Sequence, residues 1–429
     1  MVLLILALAL SCFTLVYLWW EPFTRSGASA IDGLDDTGYY VWARSLIIDG
    51  DLDFENDFAE APTTSREAVA VLATVVPRTA NGRINNKWPP GWSMATVPWV
   101  ALGHIAAKAT HQPTDGWSLP YQIAVWLGHL AYSAAGAWCA FRWLRYHVGS
   151  RSALLAFLVL WIASPLIYYQ TCRVSMPHGL IFNLTALTWL LAARIHNREE
   201  RALEWMLLGG AAGLMLCTRL STAGLLLYPA WMVARRLICG RRDWARLALG
   251  VGAGALVLGI GLVARRVADG SWWTEPYAGE RLNYFDPAWW NVFFSPKHGL
   301  FYWHPLLLLG ALGLGWGIVA RRFPGSLIVA CLSVSWINAA WWCWWFGSSY
   351  GNRAFDGCIL AAMLGLAYLW DRLNTWGRRG LAALLTIGLM HGTVLLVCFV
   401  VHVIPRSEPV TYRELCRAFL ALSGLASLP

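Results

Sequence analysis

The chain has 429 residues, of which 58% are hydrophobic and only 13% are charged. Soluble domains carry about 25% charged residues, so this composition excludes a set of soluble domains of the same total length. The net charge of +9 comes without a clustered stripe of Lys and Arg, which excludes a nucleic-acid-binding class. The composition predicts an integral membrane protein.

Apolar segments recur along the whole chain, and most approach the length that a helix needs to cross about 30 Å of hydrocarbon. They lie at 1–20, 92–109, 119–141, 152–170, 177–193, 205–220, 221–234, 247–264, 299–319, 325–345, 354–370 and 380–402. The segments predict an all-α, polytopic bundle of about 11–12 helices. The first segment lacks the basic start of a signal peptide, so we expect an uncleaved transmembrane helix at 1–20.

Arginine-rich loops set the orientation of these helices. They lie at 142–151, 194–201, 235–246, 321–322 and 372–379. The positive-inside rule places all of them in the cytoplasm. The alternation of crossings then requires two short helices within 205–234, and it places 268–298 and 346–353 on the non-cytoplasmic face.

The side of the acidic loop 21–91 stays open at this level. The loop is non-cytoplasmic if 92–109 is a half-buried or surface-lying element, and cytoplasmic if 92–109 spans the membrane. Both arrangements satisfy the arginine pattern equally well. We favour the first because of the chemistry that the loop carries.

The loop opens with two adjacent carboxylates, Asp35 and Asp36. Adjacent carboxylates repel each other, and such a group can take a proton from an acceptor hydroxyl or help to hold a divalent cation. A helix N-cap is an equally plausible interpretation, because apolar residues follow. A second acidic cluster at 49–57 has its glycine in the wrong place for a calcium loop and indicates a solvated turn.

Several cations lie where an interfacial position explains them poorly. Lys87 sits in a proline-fixed stretch at the end of the loop, where it suits a lipid phosphate or ordinary snorkelling. Arg353 opens a helix on the outer face, although the helix dipole disfavours a cation there. Arg219 lies within an apolar segment, and Arg265-Arg266 breaks the positive-inside pattern.

On these residues the chain resembles the GT-C superfamily of membrane glycosyltransferases, in the branch of protein O-mannosyltransferases and the lipid A aminoarabinose transferase. The shared features are an apolar first helix and a large first outer loop that opens with Asp35-Asp36 and ends in a stretch like Lys87-Trp88-Pro89-Pro90-Gly91. The stretches Ser295–Trp303 and Trp345–Arg353 also resemble segments of bacterial members. The chain departs from larger relatives in having only 403–429 after the last span, and Trp88 stands where the motif has proline.

The resemblance implies sugar transfer from a polyprenyl-phosphate donor to an acceptor hydroxyl on the non-cytoplasmic face, with inversion. It implies Asp36 as general base, Asp35 as its partner in positioning the acceptor or a metal, and Lys87 and Arg353 as ligands of the donor phosphate. Weaker candidates for phosphate binding are Arg265, Arg266 and His298. The implied partners are the lipid-linked donor and a lipid, glycan or protein acceptor. The expected location is the cell membrane, in bacteria the inner one.

Two other functions stay open. A cell-envelope polysaccharide polymerase or ligase would also be a many-span protein with outer-face arginines. A transporter fits less well, because the acids lie in a loop and no internal repeat is visible. The predicted division is a first transmembrane helix, a catalytic extracytoplasmic loop with membrane-surface helices, a multi-span domain with the outer loop 268–298, and a short tail: 1–20, 21–118, 119–402 and 403–429.

Overall fold

The computed structural model describes residues 31, 33–62, 77–197, 201–239, 243–272 and 280–424. The predicted first transmembrane helix at 1–20 lies outside these residues. Within them the chain is helical and contains no strand beyond an isolated bridge between Leu282 and Trp341. The predicted all-α class is confirmed.

Short helices alternate with long ones along the chain. The helices of the loop and the segment after it are α1 (Leu34–Arg44), α2 (Glu55–Glu60) and α3 (Gly91–Ala109). The next helices are α4 (Leu119–Leu144), α5 (Ser150–Ile162), α6 (Pro177–His196), α7 (Ala202–Thr218), α8 (Leu227–Ile238) and α9 (Trp244–Asp269). The remaining helices are α10 (Trp289–Phe294), α11 (Leu300–Trp303), α12 (Leu306–Val319), α13 (Ser326–Ala340), α14 (Ile359–Arg372), α15 (Thr375–Val400) and α16 (Tyr412–Leu422).

Five helical stretches in the described part of the chain are long and apolar enough to cross a membrane. They are α4, α6, α9, α15 and the stretch Arg353–Arg372, in which a 3₁₀ turn (Arg353–Cys358) runs into α14. The helices α5, α7, α12 and α13 are apolar but shorter. These helices confirm a multi-pass membrane protein.

Small residues let neighbouring helices of the bundle approach closely. A Cβ on Gly209 of α7 would lie 1.8 Å from the carbonyl oxygen of Gly250 of α9. A Cβ on Gly365 of α14 would lie 1.9 Å from that of Gly310 of α12. Helices in lipid associate through such close backbone packing, because burial of apolar surface gives little driving force there.

The predicted pair of short helices in 205–234 is interrupted at Arg219. The helix α7 ends at Thr218, Arg219 has an extended backbone (φ −156°, ψ 108°), and a 3₁₀ turn over Leu220–Leu226 leads into α8. Both α7 and α8 pack against α6. The break places the charged side chain of Arg219 at the junction between the two short helices, where α7 ends.

The described part of the acidic loop lies at the end of the bundle where α9 finishes. The side-chain amide of Asn81 donates to the carbonyl of Ala268 at 3.1 Å, and the amide of Ala80 donates to the carbonyl of Asp269 at 3.1 Å. The described part of the loop therefore shares this end with 268–272, as expected if the loop is not cytoplasmic.

The arginine-rich loops meet at the other end of the bundle. Ser152 at the start of α5 donates to Asp371 at the end of α14. Arg194 near the end of α6 lies 2.6 Å from the Glu204 carboxylate at the start of α7. With a length of about 39 Å, α9 connects the two ends.

The helix α3 runs antiparallel to the first half of α4. His104 Nδ1 lies 2.6 Å from the Tyr121 hydroxyl, and the Tyr132 hydroxyl donates to the carbonyl of Ala95 at 3.0 Å. This helix is not among the five candidate spans. That 92–109 does not fully span the membrane stays a prediction.

The tail after α15 folds back onto the end of the bundle that holds the acidic loop. The amide of Val410 donates to the carbonyl of Pro296 at 3.1 Å. The Tyr412 ring stacks on that of Tyr302, with 4.4 Å between their centroids. The tail thus covers part of the surface beside 296–302.

We expect the two ends of the bundle to lie on opposite sides of the membrane. A single cysteine at Arg78, in the acidic loop, should react with a membrane-impermeant maleimide in intact cells, in a background without reactive native cysteines. A cysteine at Arg322 should react only after permeabilisation. Labelling of position 78 solely from the cytoplasmic side would contradict the non-cytoplasmic location of the acidic loop.

Candidate active site

The acidic pair lies in the first turn of α1, where carboxylates complement the positive end of the helix dipole. Neither aspartate is the N-cap residue; that position is Gly33, which has φ 123° and makes no side-chain cap. A Cβ on Gly33 would lie 2.7 Å from Arg173 Nη2 and 2.9 Å from Asp36 Oδ2. Both the backbone angle and the space therefore require glycine before the pair.

Asp36 is fully buried and makes an ion pair with Arg173. Arg173 Nε donates to Asp36 Oδ2 at 3.0 Å, and the hydroxyl of Ser175 donates to Oδ1 at 2.6 Å. Arg173 and Ser175 lie between a π-helical turn at Tyr168–Cys172 and α6. Hydrogen bonds therefore satisfy both oxygens of this buried carboxyl group.

Asp35 points to a different arginine, Arg353. Arg353 Nη2 donates to Asp35 Oδ2 at 2.7 Å, and the indole of Trp88 donates to Oδ1 at 3.0 Å. Burial raises the pKa of the Asp35 carboxyl, but the charges of Arg353 and Lys87 outweigh it and hold the pKa below its usual value. The Asp35 side chain is 33% exposed, so it is the accessible member of the pair.

Lys87 lies beside this second ion pair. Its Nζ is 2.6 Å from Glu280 Oε1 and 5.3 Å from the centre of the Trp88 ring. Lys87 and Arg353 both act electrostatically on Asp35, although they are far apart in the sequence. The structure therefore brings the two predicted phosphate ligands into one neighbourhood, each facing a carboxylate.

Arg265 binds the backbone of the segment that contains Lys87. Its guanidinium donates to the carbonyls of Lys87 and Trp88, both at 3.2 Å, and approaches Asp269 at 3.4 Å. It also lies over the Trp42 ring at 5.2 Å. These contacts fix the backbone that carries Lys87.

Arg266 and His298 are not brought into contact with the acidic pair. Arg266 is exposed and lies 6.0 Å from the centre of the Trp272 ring. His298 Nδ1 is 2.9 Å from the carbonyl of Trp345, and burial lowers the pKa of His298 to about 4. A neutral imidazole at physiological pH is a weak partner for phosphate.

Arg173 and Glu280 were not predicted from the sequence. Arg173 had a signal, because the connection between the apolar segments 152–170 and 177–193 falls on the face opposite the arginine-rich loops. A lone arginine there breaks the positive-inside pattern in the same way as Arg265. Nothing in the sequence singled out Glu280, since acidic residues are common in outer loops.

The second acidic cluster surrounds a buried arginine, Arg44. Arg44 Nη1 lies 2.7 Å from Asp57 and 3.1 Å from Asp49, and its Nη2 contacts Glu60. Its Nε donates to the carbonyl of Asp115 at 2.8 Å. The solvated-turn interpretation is therefore wrong for the buried Asp57, because the turn folds over a cation that compensates its charge.

The loop should become less stable as pH rises through neutrality. Burial raises the pKa of Asp57 from 3.8 to about 7. The charge of Arg44 lowers it only in part, because three carboxylates share that arginine. The folded state thus binds this proton more tightly than the unfolded chain. The contribution of Asp57 to stability is complete below the pKa of the unfolded state and is lost as pH rises through the pKa of the folded state. The free energy of unfolding falls by at most about 1.4 kcal/mol per pH unit.

Thermal unfolding in detergent from about pH 5.5 to about pH 8 measures this loss. Asp57→Asn should reduce the slope, and Asp286→Asn, at an exposed position, should not. An unchanged slope in Asp57→Asn would contradict the assignment.

The acidic pair does not fit the divalent cation considered for it. Asp35 and Asp36 each face their own arginine. In the described residues no group of three His, Cys, Asp or Glu side chains could hold a metal ion. A cation bound to this pair would have to displace Arg353 or Arg173 and would lie beside their positive charges.

No family model matches the chain, and no curated protein matches it in sequence. Its fold is similar to that of ArnT from Cupriavidus metallidurans, solved with bound undecaprenyl phosphate. The two are 15% identical with a TM-score of 0.50, over 93% of this chain and 70% of that chain. ArnT has the GT-C fold, so the predicted GT-C-like bundle is confirmed. At this identity the likeness shows the fold alone.

Proposed function

We propose that this chain transfers a sugar from a polyprenyl-phosphate donor to an acceptor hydroxyl on the non-cytoplasmic face, with inversion. The observation that carries the proposal is the arrangement of Lys87 and Arg353 around Asp35, beside the Asp36–Arg173 pair. This arrangement places two cations that could bind a phosphate next to two carboxylates that could bind an acceptor. The fold shared with a protein that binds undecaprenyl phosphate supports the same donor class.

The donor phosphate would lie between Lys87 and Arg353. Their charges face Glu280 and Asp35 in this structure, and an incoming phosphate would take over part of these contacts. The Nε of Arg353 is buried and has no hydrogen-bond partner within the described residues. A buried charged donor without an acceptor is costly, so a phosphate oxygen at this position would satisfy it.

The chemistry needs one base and no general acid. The leaving group is a phosphate, already a stabilised anion, and the two cations would stabilise the charge that develops on it. Asp36 would accept the proton of the acceptor hydroxyl, which attacks the anomeric carbon as the bond to phosphate breaks. A single displacement inverts that centre. Asp35 would position the acceptor.

For Asp36 to act as base, its contact with Arg173 must loosen when the acceptor binds, because both carboxylate oxygens are occupied. Asp35 is more exposed and needs no such release. This difference makes the division of roles within the pair testable.

The test of the function is turnover by the purified protein of a panel of radiolabelled polyprenyl-phosphate sugars with lipid, glycan and protein acceptors. We expect transfer from at least one donor, at an unchanged rate in chelator. Absence of transfer from every donor, together with absence of binding of undecaprenyl phosphate, would refute the proposal. Transfer that extends a glycan chain would favour the polymerase or ligase alternative.

Removing the base should abolish most of the transfer. Asp36→Asn keeps the shape of the side chain and its contact with Ser175, and the rate should fall by about 10² to 10⁴-fold. Donor affinity should change little, because Asp36 faces Arg173 and not the phosphate ligands. Rate and affinity are measured by single-turnover assay and by lipid binding.

The matched variant is Asp35→Asn. If Asp35→Asn loses transfer and Asp36→Asn does not, the roles of the two aspartates are exchanged. Full activity of both variants would refute a base in this pair.

The two proposed phosphate ligands should each contribute to donor binding. Lys87→Ala and Arg353→Ala should each cost about 1.5 to 3 kcal/mol, or about ten- to a hundredfold in affinity for undecaprenyl phosphate. Their effects should be coupled in the double variant, because both contact one group. Arg322→Ala, at the opposite end of the bundle, is the control. Additive effects of Lys87→Ala and Arg353→Ala would contradict a shared phosphate.

A further inference from the structure

A polar cluster lies next to Arg353, within the helical bundle. The proposed chemistry does not use it. We call it the Asp356 cluster; it consists of Asp356, Arg219 and His178. Asp356 belongs to the same 3₁₀ turn as Arg353, three residues further on. Side chains three residues apart in a 3₁₀ helix eclipse each other, about 6 Å apart along the axis. Asp356 therefore lies directly behind the proposed phosphate ligand.

The carboxylate of Asp356 is buried without hydrogen bonds. The residue is 1% exposed, and neither of its oxygens has a partner within the described residues. Arg219 and Arg353 act on it electrostatically, but neither donates to it. Buried carboxyl groups are normally hydrogen-bonded, so the hydrogen-bonding capacity of Asp356 is unsatisfied within the described residues.

Arg219 and His178 complete the cluster. Arg219 Nη1 lies 3.3 Å from Nδ1 and 3.2 Å from Nε2 of His178, which places the guanidinium across the imidazole face. The Arg219 guanidinium lies 5.7 Å from the centre of the Phe346 ring, and the Tyr169 ring lies 5.0 Å from His178. The cluster thus combines a guanidinium group, a carboxyl group and aromatic faces.

We infer that the Asp356 cluster binds the hydroxyl groups of the sugar on the lipid-linked donor, an inference that rests on the proposed function. A hydroxyl both donates and accepts, so a polyol can donate to Asp356 and accept from Arg219. The two arginines would repel a cation, whereas a neutral hydroxyl group meets no such repulsion. The sugar of such a donor is bonded directly to the phosphate, so a phosphate at Arg353 puts the ring within one turn of Asp356.

A purely electrostatic role for Asp356 in holding Arg353 gives a different result. That role would affect the phosphate, and so donors with and without a sugar would lose affinity equally. A role in sugar binding affects only the glycosylated lipid. The comparison of the two lipids therefore decides between the roles.

The experiment measures the binding of four lipids to the purified full chain in nanodiscs. The probes are undecaprenyl phosphate and the same lipid carrying glucose, mannose or N-acetylglucosamine. We expect wild-type protein to bind at least one glycosylated lipid more tightly than the sugar-free one. Asp356→Asn should weaken that binding by about tenfold or more and change the affinity for the sugar-free lipid by less than about twofold.

A control variant, a folding measurement and a second test variant accompany this experiment. Asp371→Asn makes the same change at the opposite end of the same helical stretch and should alter neither affinity. Thermal unfolding of Asp356→Asn reports its folding, and Arg219→Gln is a second variant that should show the same selective loss.

Equal loss for all lipids in Asp356→Asn, no loss at all, or equal wild-type affinity for sugar-free and glycosylated lipids would overturn the inference while leaving the proposed function intact. If wild-type protein binds none of the lipids, the proposed function fails and the inference fails with it.

Discussion

The site depends on two ion pairs that begin at neighbouring residues and lead to different parts of the bundle. Asp35 pairs with Arg353 before α14, and Asp36 pairs with Arg173 before α6. Two adjacent carboxylates would repel each other, and each arginine would be costly to bury alone. Pairing them separately resolves both problems and fixes the start of α1 against the helices.

The loop that carries α1 is held by polar contacts as well as by its apolar side chains. Arg44 closes the acidic turn at one end of α1, and Arg265 binds the carbonyls beside Lys87. A guanidinium presents five donors in a fixed plane, so one arginine can fix several backbone and carboxylate groups at once. These contacts hold Lys87 near Asp35 while its ammonium group stays beside Glu280.

The sequence was sufficient for the class of fold, and it singled out several residues of the candidate site. Segment length and hydropathy predicted the helices, since a span in lipid must satisfy its own backbone. Asp35, Lys87 and Arg353 stood out because their charges conflict with their surroundings, and the structure places them together.

The partners could not be predicted, because ion pairing between distant loops depends on how the helices pack. Arg173 and Glu280 were missed for that reason. Asp356 had a visible signal, since a carboxylate within the apolar segment 354–370 is costly in a membrane and marks a functional position.

The separation of 318 residues between Asp35 and Arg353 has a consequence for biogenesis. At a synthesis rate of about 5 to 20 residues per second, Asp35 is made about 15 to 60 s before its partner. During that time the loop has already left the ribosome, and the acidic pair has at most one of its two arginines. The junction can close only after most of the helices have been inserted. Assembly of the site is therefore a late event, and a chain that stalls before Arg353 leaves the Asp35 carboxyl group without its arginine.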